Sequence, residues 1–274
     1  MTRRRVEPAP PGAAQVSGEQ SPETPGWSAW QPVRAPGGFP VVGVIGGGQL
    51  ARMLQAPAVA AALVIPSAPV GEHTDLDAVC RFAAACDVVT FDHEHVPADV
   101  LAALQADGVP LHPSPAALRF AQDKLAMRRR LAELDIPCPD WAVARTAADV
   151  LAFGARVGWP VVAKTPQGGY DGKGVRVVTG PEAVEAELAD WFAVVAAATG
   201  GGAREGARGI PDGASAGLPE GAAGSLAEGV LLEAHMPFDR ELAVLVARSP
   251  SGQAAAWPVV ETVQTDGVCT DVVA

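Results

Sequence analysis

Val161-Val162-Ala163-Lys164-Thr165-Pro166-Gln167-Gly168-Gly169-Tyr170-Asp171-Gly172-Lys173-Gly174-Val175 is the stretch on which the fold turns. A short β-branched run ends in a cation, a glycine-dense loop follows, and Val175 to Val178 begins another apolar run. Runs of this kind bounded by Gly and Pro read as strand, loop and strand. A lysine at a strand end beside a flexible glycine loop can neutralise nucleotide phosphates while the loop shields them from water. The loop is not a Walker A motif, because its spacing is too short, no Ser or Thr follows Lys173, and no helix follows. The plain alternative is a glycine-rich hairpin with a surface lysine.

Upstream, Pro40 to Ile45 reads as a strand, Gly46-Gly47-Gly48 as a turn, and Gln49 to Leu63 as a helix. Asp75 to Cys86 predicts a helix with Leu76, Val79, Phe82 and Ala83 at helical spacing, and Asp87 to Phe91 a buried strand. Pro97 to Gln105 is helical and Val109 to His112 a short strand. Ser114-Pro115 opens a further helix with a cap and a first-turn Pro. That helix breaks before Lys124, and a second one runs to about Leu134. Met1 to Gly38 is rich in Pro, Gly, Ser and Glu without apolar period, the composition of a disordered tail.

Downstream, strands are expected at Trp141 to Ala144, Pro160 to Lys164, Val175 to Val178 and Val230 to Glu233. A long strand from Glu241 to Ser249 and another from Ala254 to Val260 flank the turn signal Pro250-Ser251-Gly252-Gln253, which makes a hairpin. The Gly, Ala and Ser of residues 199–228 suggest an exposed, mobile insertion with little function of its own. After the Val230 strand, Glu233-Ala234-His235-Met236 can present backbone donors and acceptors to a base, and Glu241 can accept from two ribose hydroxyls. Taken singly, Glu233 and Glu241 read as ordinary solvated charges. Arg128-Arg129-Arg130 likewise reads as a solvated helix face.

The 274 residues carry a formal charge of -11 and 49% hydrophobic residues, enough for a sizeable core and unsuited to a polyanionic partner such as nucleic acid. The four cysteines, Cys80, Cys86, Cys138 and Cys269, form no C-x-x-C pair, so neither a zinc site nor a disulfide framework is indicated. No apolar run is long enough to span a bilayer, and Thr2 to Arg5 is not followed by a signal-peptide core. A reducing cytoplasm fits. His93 and His95 flank Glu94 and could be read as an H-x-H metal site, but at the end of a strand they more readily line a cleft.

Gly46 to Met53, Val88 to Pro97, Gln122-Asp123-Lys124, Gly168 to Gly174 and Phe238-Asp239-Arg240-Glu241 together, in this order and spacing, resemble the N5-carboxyaminoimidazole ribonucleotide synthase family of the ATP-grasp superfamily. The resemblance covers roughly Val41 to Ala274. It implies an N-terminal pre-ATP-grasp, Rossmann-like α/β domain over residues 39–115 and an incomplete α+β ATP-grasp domain over residues 116–274. The implied reaction uses ATP and Mg2+. Bicarbonate is phosphorylated to carboxyphosphate, which carboxylates the exocyclic amine of 5-aminoimidazole ribonucleotide with release of ADP and phosphate, a step of purine biosynthesis. Lys124 and Lys164 would contact ATP phosphates, and Gly169, Tyr170, Asp171, Gly172, Lys173, Gly174 and Val175 would cover them. Glu233, Ala234, His235 and Met236 would meet the adenine, and Glu241 the ribose. Tyr170 and Asp171 would also lie near the aminoimidazole substrate, as the catalytic pair.

The sequence departs from the family in three places. Gln264 stands where some relatives have a His near the nucleotide. The stretch from Gln55 to Val70 is shorter than the family's. The family continues past the position of Ala274, with the magnesium carboxylates and substrate-phosphate ligands in that continuation, so no metal ligand is assigned here. The chain alone is therefore expected to be inactive, and the complete enzyme a possible homodimer. Two alternatives remain: an inactive ATP-grasp fragment, or an NAD-binding Rossmann-type oxidoreductase. For the latter, Gly46-Gly47-Gly48-Gln49-Leu50-Ala51 fits G-x-G-x-x-A and Glu72 is the candidate ribose acid, although the residues before it make a poor strand.

Overall fold

The computed structural model describes residues 38–46, 49–54, 58, 72–169, 174–200, 222–265 and 268–274. Apart from Gly38, the expected N-terminal tail lies outside the described residues. So do Tyr170 to Lys173, residues 201–221, and most of the stretch from Gln55 to Val70.

The first unit is α/β. Strands β1 (Val42–Ile45) and β2 (Val88–Phe91) pair in parallel, with Val42 opposite Val88 and Ile45 opposite Phe91. After β1 comes α1 (Gln49–Met53). Before β2 lies α2 (Leu76–Ala83), whose N-cap Asp75 accepts from the Ala78 N–H. Next is α3 (Ala98–Ala106). Ile45, Val79, Ala83, Val89, Val100, Leu104 and Leu118 close one core. The strand expected at Val109 to His112 is reduced to a single bridge between Val89 and Leu111. Pro110 and Pro113 remove backbone donors there, which leaves too few to continue a ladder.

Gly46 turns the chain at the end of β1 with φ +132°, and a Cβ there would stand 1.4 Å from Asp92 Oδ1. Both the backbone and the contact exclude a side chain. Gly46→Ala is expected to cost about 1–3 kcal/mol of stability, read as a lower denaturant midpoint. An unchanged midpoint would mean that Asp92 moves aside freely.

Helices α4 (Pro115–Gln122) and α5 (Lys124–Glu133) are broken at Asp123, as the sequence predicts. Asp123 is extended, with φ -125° and ψ 106°, and its carboxylate caps α5 through the Ala126 N–H.

The second unit is an antiparallel sheet of β3 (Trp141–Ala144), β4 (Val161–Lys164), β5 (Val175–Val178) and β6 (Val230–Ala234) in the order β3-β6-β4-β5. Two helices absent from the sequence reading pack on it, α6 (Ala147–Val157) and α7 (Val184–Gly200). Thr146 and Asp149 form a capping box that starts α6. Side chains alternate along each strand and cross-strand partners share a face. Ala144, Val161, Ala163, Val178, Val230 and Leu232 therefore point into the core with Phe153, Leu188 and Trp191. Val143, Val162, Lys164, Leu231 and Glu233 belong to the other face.

The insertion expected over residues 199–228 is corrected at both ends. Helix α7 runs through Gly200, and α8 (Ala222–Ser225) with the 3-10 turn Leu226–Glu228 returns to the sheet. Leu226 is fully buried in the second core.

The single long hairpin expected over Glu241 to Val260 is divided. β7 (Glu241–Ala243) pairs with β10 (Val260–Thr265), while β8 (Val246–Arg248) pairs with β9 (Ala254–Ala256). Trp257 N donates to Leu245 O in the β8–β9 register, Pro258 then has no N–H to donate, and the pairing resumes one residue out of register at Ala243 and Val260. β11 (Val268–Val273) completes the sheet β11-β10-β7. Among the described residues no helix is long and apolar enough to cross a membrane.

Candidate functional site

Lys164 and Glu233 lie on adjacent strands of the four-stranded sheet, on the face turned away from α6 and α7. Val162 is opposite Glu233 and Lys164 opposite Leu231, so the two charges are neighbours by register. Lys164 Nζ lies 2.6 Å from Glu233 Oε2. On the other carboxylate oxygen, Arg128 Nε from α5 lies 2.5 Å from Glu233 Oε1. Glu233 is only 5% exposed. Reading it as a solvated charge was therefore wrong, and so was reading Arg128 as part of a solvated face. Arg129 and Arg130 do pair at the surface, with Glu228 and Glu133.

Burial pushes the Glu233 carboxyl up, but hydrogen bonds from Arg128 and Lys164 and their two charges outweigh it and hold the group below its ordinary 4.5. A carboxyl with a lowered folded pKa contributes stability that is fully present above the unfolded value and is lost as pH falls through the folded one. The expected result is that acidification below about pH 4.5 lowers the thermal midpoint more steeply in the native chain than in Glu233→Gln. Parallel melting profiles between about pH 6 and 3, across a carboxyl titration, would remove this linkage.

Lys124, the first residue of α5, reaches the glycine loop. Its Nζ donates to Gly168 O at 2.8 Å, and its backbone N donates to Pro166 O at 2.9 Å. Gly168 itself has φ +68°, a conformation that suits glycine at the loop entrance. Gln167 is fixed from both ends, by its N–H to Ser225 Oγ at 3.1 Å and by its side-chain amide to Asp123 Oδ2 at 3.4 Å. Thr165 N donates to Gly174 O, closing the loop's base. Burial, and after it the Lys164 charge, pushes the Lys124 ammonium below its ordinary 10.5. An anion arriving between the two lysines would offset that repulsion.

The structure thus brings Lys124, Lys164, Gly168, Gly174 and Val175 to one end of the sheet, with Glu233 joining them from opposite Val162 and Ala234 ending β6 opposite Val161, at the other end. His235 and Met236 follow the strand and are exposed. Glu241 and Gln264 sit in the terminal sheet, both exposed, and no hydrogen bond or ion pair among the described residues joins them to the lysine cluster. Tyr170, Asp171, Gly172 and Lys173 lie outside the described residues. Arg128 and Ser225 were missed as site residues. The sequence carried no local signal for Ser225, whereas Arg128 lies four positions after Lys124, one helical turn along the same face.

Near β2, the His73 and His93 rings meet edge-on at 4.9 Å, and His93 lies 5.6 Å from His95. Burial lowers the His93 pKa, which disfavours its charged form. Gln122 Nε2 donates to Glu94 O at 2.8 Å and Val96 O at 2.9 Å, tying this segment to α4. Among the described residues no group of three or more His, Cys, Asp or Glu is arranged to hold a metal ion.

Comparisons with known proteins cover both units. Residues 129–274 match the ATP-grasp domain, and residues 40–122 the ribonucleotide synthetase preATP-grasp domain. The chain is similar to N5-carboxyaminoimidazole ribonucleotide synthase of Mycobacterium tuberculosis, 44% identical over 251 residues that cover 86% of this chain and 51% of that protein. It is similar also to the Corynebacterium ammoniagenes enzyme of the same name, 37% identical over 86% of this chain and 53% of that protein. Among solved structures, carboxyaminoimidazole ribonucleotide synthase from Aspergillus clavatus complexed with ATP superposes with a TM-score of 0.62 at 26% identity, over 84% of this chain and 56% of that one. The chain spans about half the length of the curated relatives it matches.

Proposed function

The chain belongs to the ATP-grasp family, with a preATP-grasp domain ahead of it, and we propose that it serves the ATP-dependent carboxylation of 5-aminoimidazole ribonucleotide by bicarbonate. The observation that supports this most is the pair Lys124 and Lys164 at the base of the Gly168 to Gly174 loop. Relatives named for this activity match both units in one alignment.

ATP, bicarbonate and 5-aminoimidazole ribonucleotide are the substrates. Lys164 and Lys124 would neutralise phosphate charge, and Gly169 to Val175 would close over it and exclude water. Phosphoryl transfer asks of a protein chiefly such positioning and charge neutralisation. Glu233 to Met236 would line the adenine side, with Glu241 at the ribose and Gln264 beside the nucleotide. Tyr170 and Asp171 would orient the aminoimidazole. No step is assigned to magnesium, because none of the residues named here is assigned as its ligand. A cytoplasmic location and a homodimer belong to the same proposal. The oxidoreductase alternative is set aside because residues 40–122 match the preATP-grasp domain.

The test is ADP release, with ATP and magnesium, by the purified chain and by a version extended to the length of its relatives. Release that requires both bicarbonate and 5-aminoimidazole ribonucleotide is the expected result for the extended version, while the chain alone is expected to bind ATP without it. ATP binding without such release by the extended version as well would favour the inactive-fragment alternative. NADH binding without ATP binding would restore the oxidoreductase.

A further inference from the structure

Glu233 divides its carboxylate between two cations that come from different elements. Oε1 meets Arg128 Nε, and Oε2 meets Lys164 Nζ. A carboxylate this buried cannot lose its only counter-ion cheaply, because a buried charge left unpaired is strongly destabilising. If Lys164 turned toward a phosphate, only Oε2 would be released. Oε1 would stay bonded to a guanidinium that cannot deprotonate and whose position is set by α5 independently of β4. The Arg128 side chain is 21% exposed and also donates to Cys138 Sγ at 3.6 Å, so a second contact holds it in place.

We propose that Arg128 is a positioning residue for nucleotide binding: it keeps Glu233 neutralised so that Lys164 can exchange from carboxylate to phosphate. The inference rests on the ATP reading of this site. Without Arg128, Lys164 is the sole counter-ion of a buried carboxylate and is held back from the nucleotide. Removing the Glu233 charge as well frees the lysine again.

The experiment measures ATP affinity by calorimetry for the 274-residue chain and for Arg128→Met, Arg128→Lys and Arg128→Met combined with Glu233→Gln, with thermal melts alongside. Arg128→Met is expected to raise Kd roughly tenfold or more, the scale of one charge-assisted contact. Arg128→Lys keeps a cation on Oε1 and should bind nearly as the native chain does. The double variant should recover most of the lost affinity, because Gln keeps the backbone through which Glu233 would meet the adenine, and a merely structural role for Arg128 would not produce that recovery. Native affinity in Arg128→Met overturns the proposal. Weak binding that Glu233→Gln fails to restore also overturns it, and points to direct contact or to folding; should Arg128→Met not fold, weak binding by a folded Arg128→Lys overturns it equally. If the native chain binds no ATP, the ATP reading falls and this inference with it, an outcome distinct from the others.

Discussion

Replacing Lys164 by alanine weakens ATP binding by roughly 10- to 150-fold, the equivalent of about 1.5–3 kcal/mol for a charge-assisted contact. The fold should tolerate the change, because Glu233 keeps its bond to Arg128 and the Lys164 side chain is partly exposed on the sheet face opposite the cluster around Leu232. Lys124 gains as well as loses: the like charge that depresses its pKa is gone, yet it must neutralise the phosphates alone. Calorimetric titration with ATP, alongside a thermal melt, separates the two effects. Native affinity in a folded Lys164→Ala chain would show that this lysine is not a phosphate ligand.

What the sequence made legible follows from how local each signal is. Lys164 and the glycine loop could be found because a strand end, a cation and a dense glycine run are contiguous, and the β4–β5 hairpin closes directly around them. The break at Asp123 was visible for the same reason, since the helix-stopping, cap-forming residue stands beside Lys124. Helix α7 was not legible. Its sequence, VEAELADWFAVVAAATG, is apolar on several sides, so no single stripe announces a helix, and burial of Leu188, Trp191 and Val195 against the sheet decides its place. Arg128 and Ser225 were missed because their partners, Glu233 and Gln167, are far away in sequence and meet them only after the sheet has formed. The division of the terminal strands was missed because Pro258 was taken as part of a run, although its missing N–H acts on pairing with another strand.

Leu232→Ala is expected to lower stability by about 2–5 kcal/mol, the largest effect of any substitution considered, while leaving the affinity of the folded chain for ATP unchanged. Leu232 is fully buried, and it packs with Ala163, Val230 and the inward residues of α6 and α7. Truncating it removes transfer free energy and leaves a cavity that the flanking strands, bound on both sides of β6, cannot readily collapse into. Its neighbour Glu233 points the opposite way, as alternation along the strand requires. One residue of β6 therefore serves the core and the next serves the charged cluster. For a unit of this size the Tm should fall on the order of 10 °C. Kd for ATP, measured well below that Tm, should match the native chain. A loss of affinity comparable to that of Lys164→Ala, in a chain still folded, would mean that the two faces of the sheet are coupled and that stability and binding are not separable at this strand.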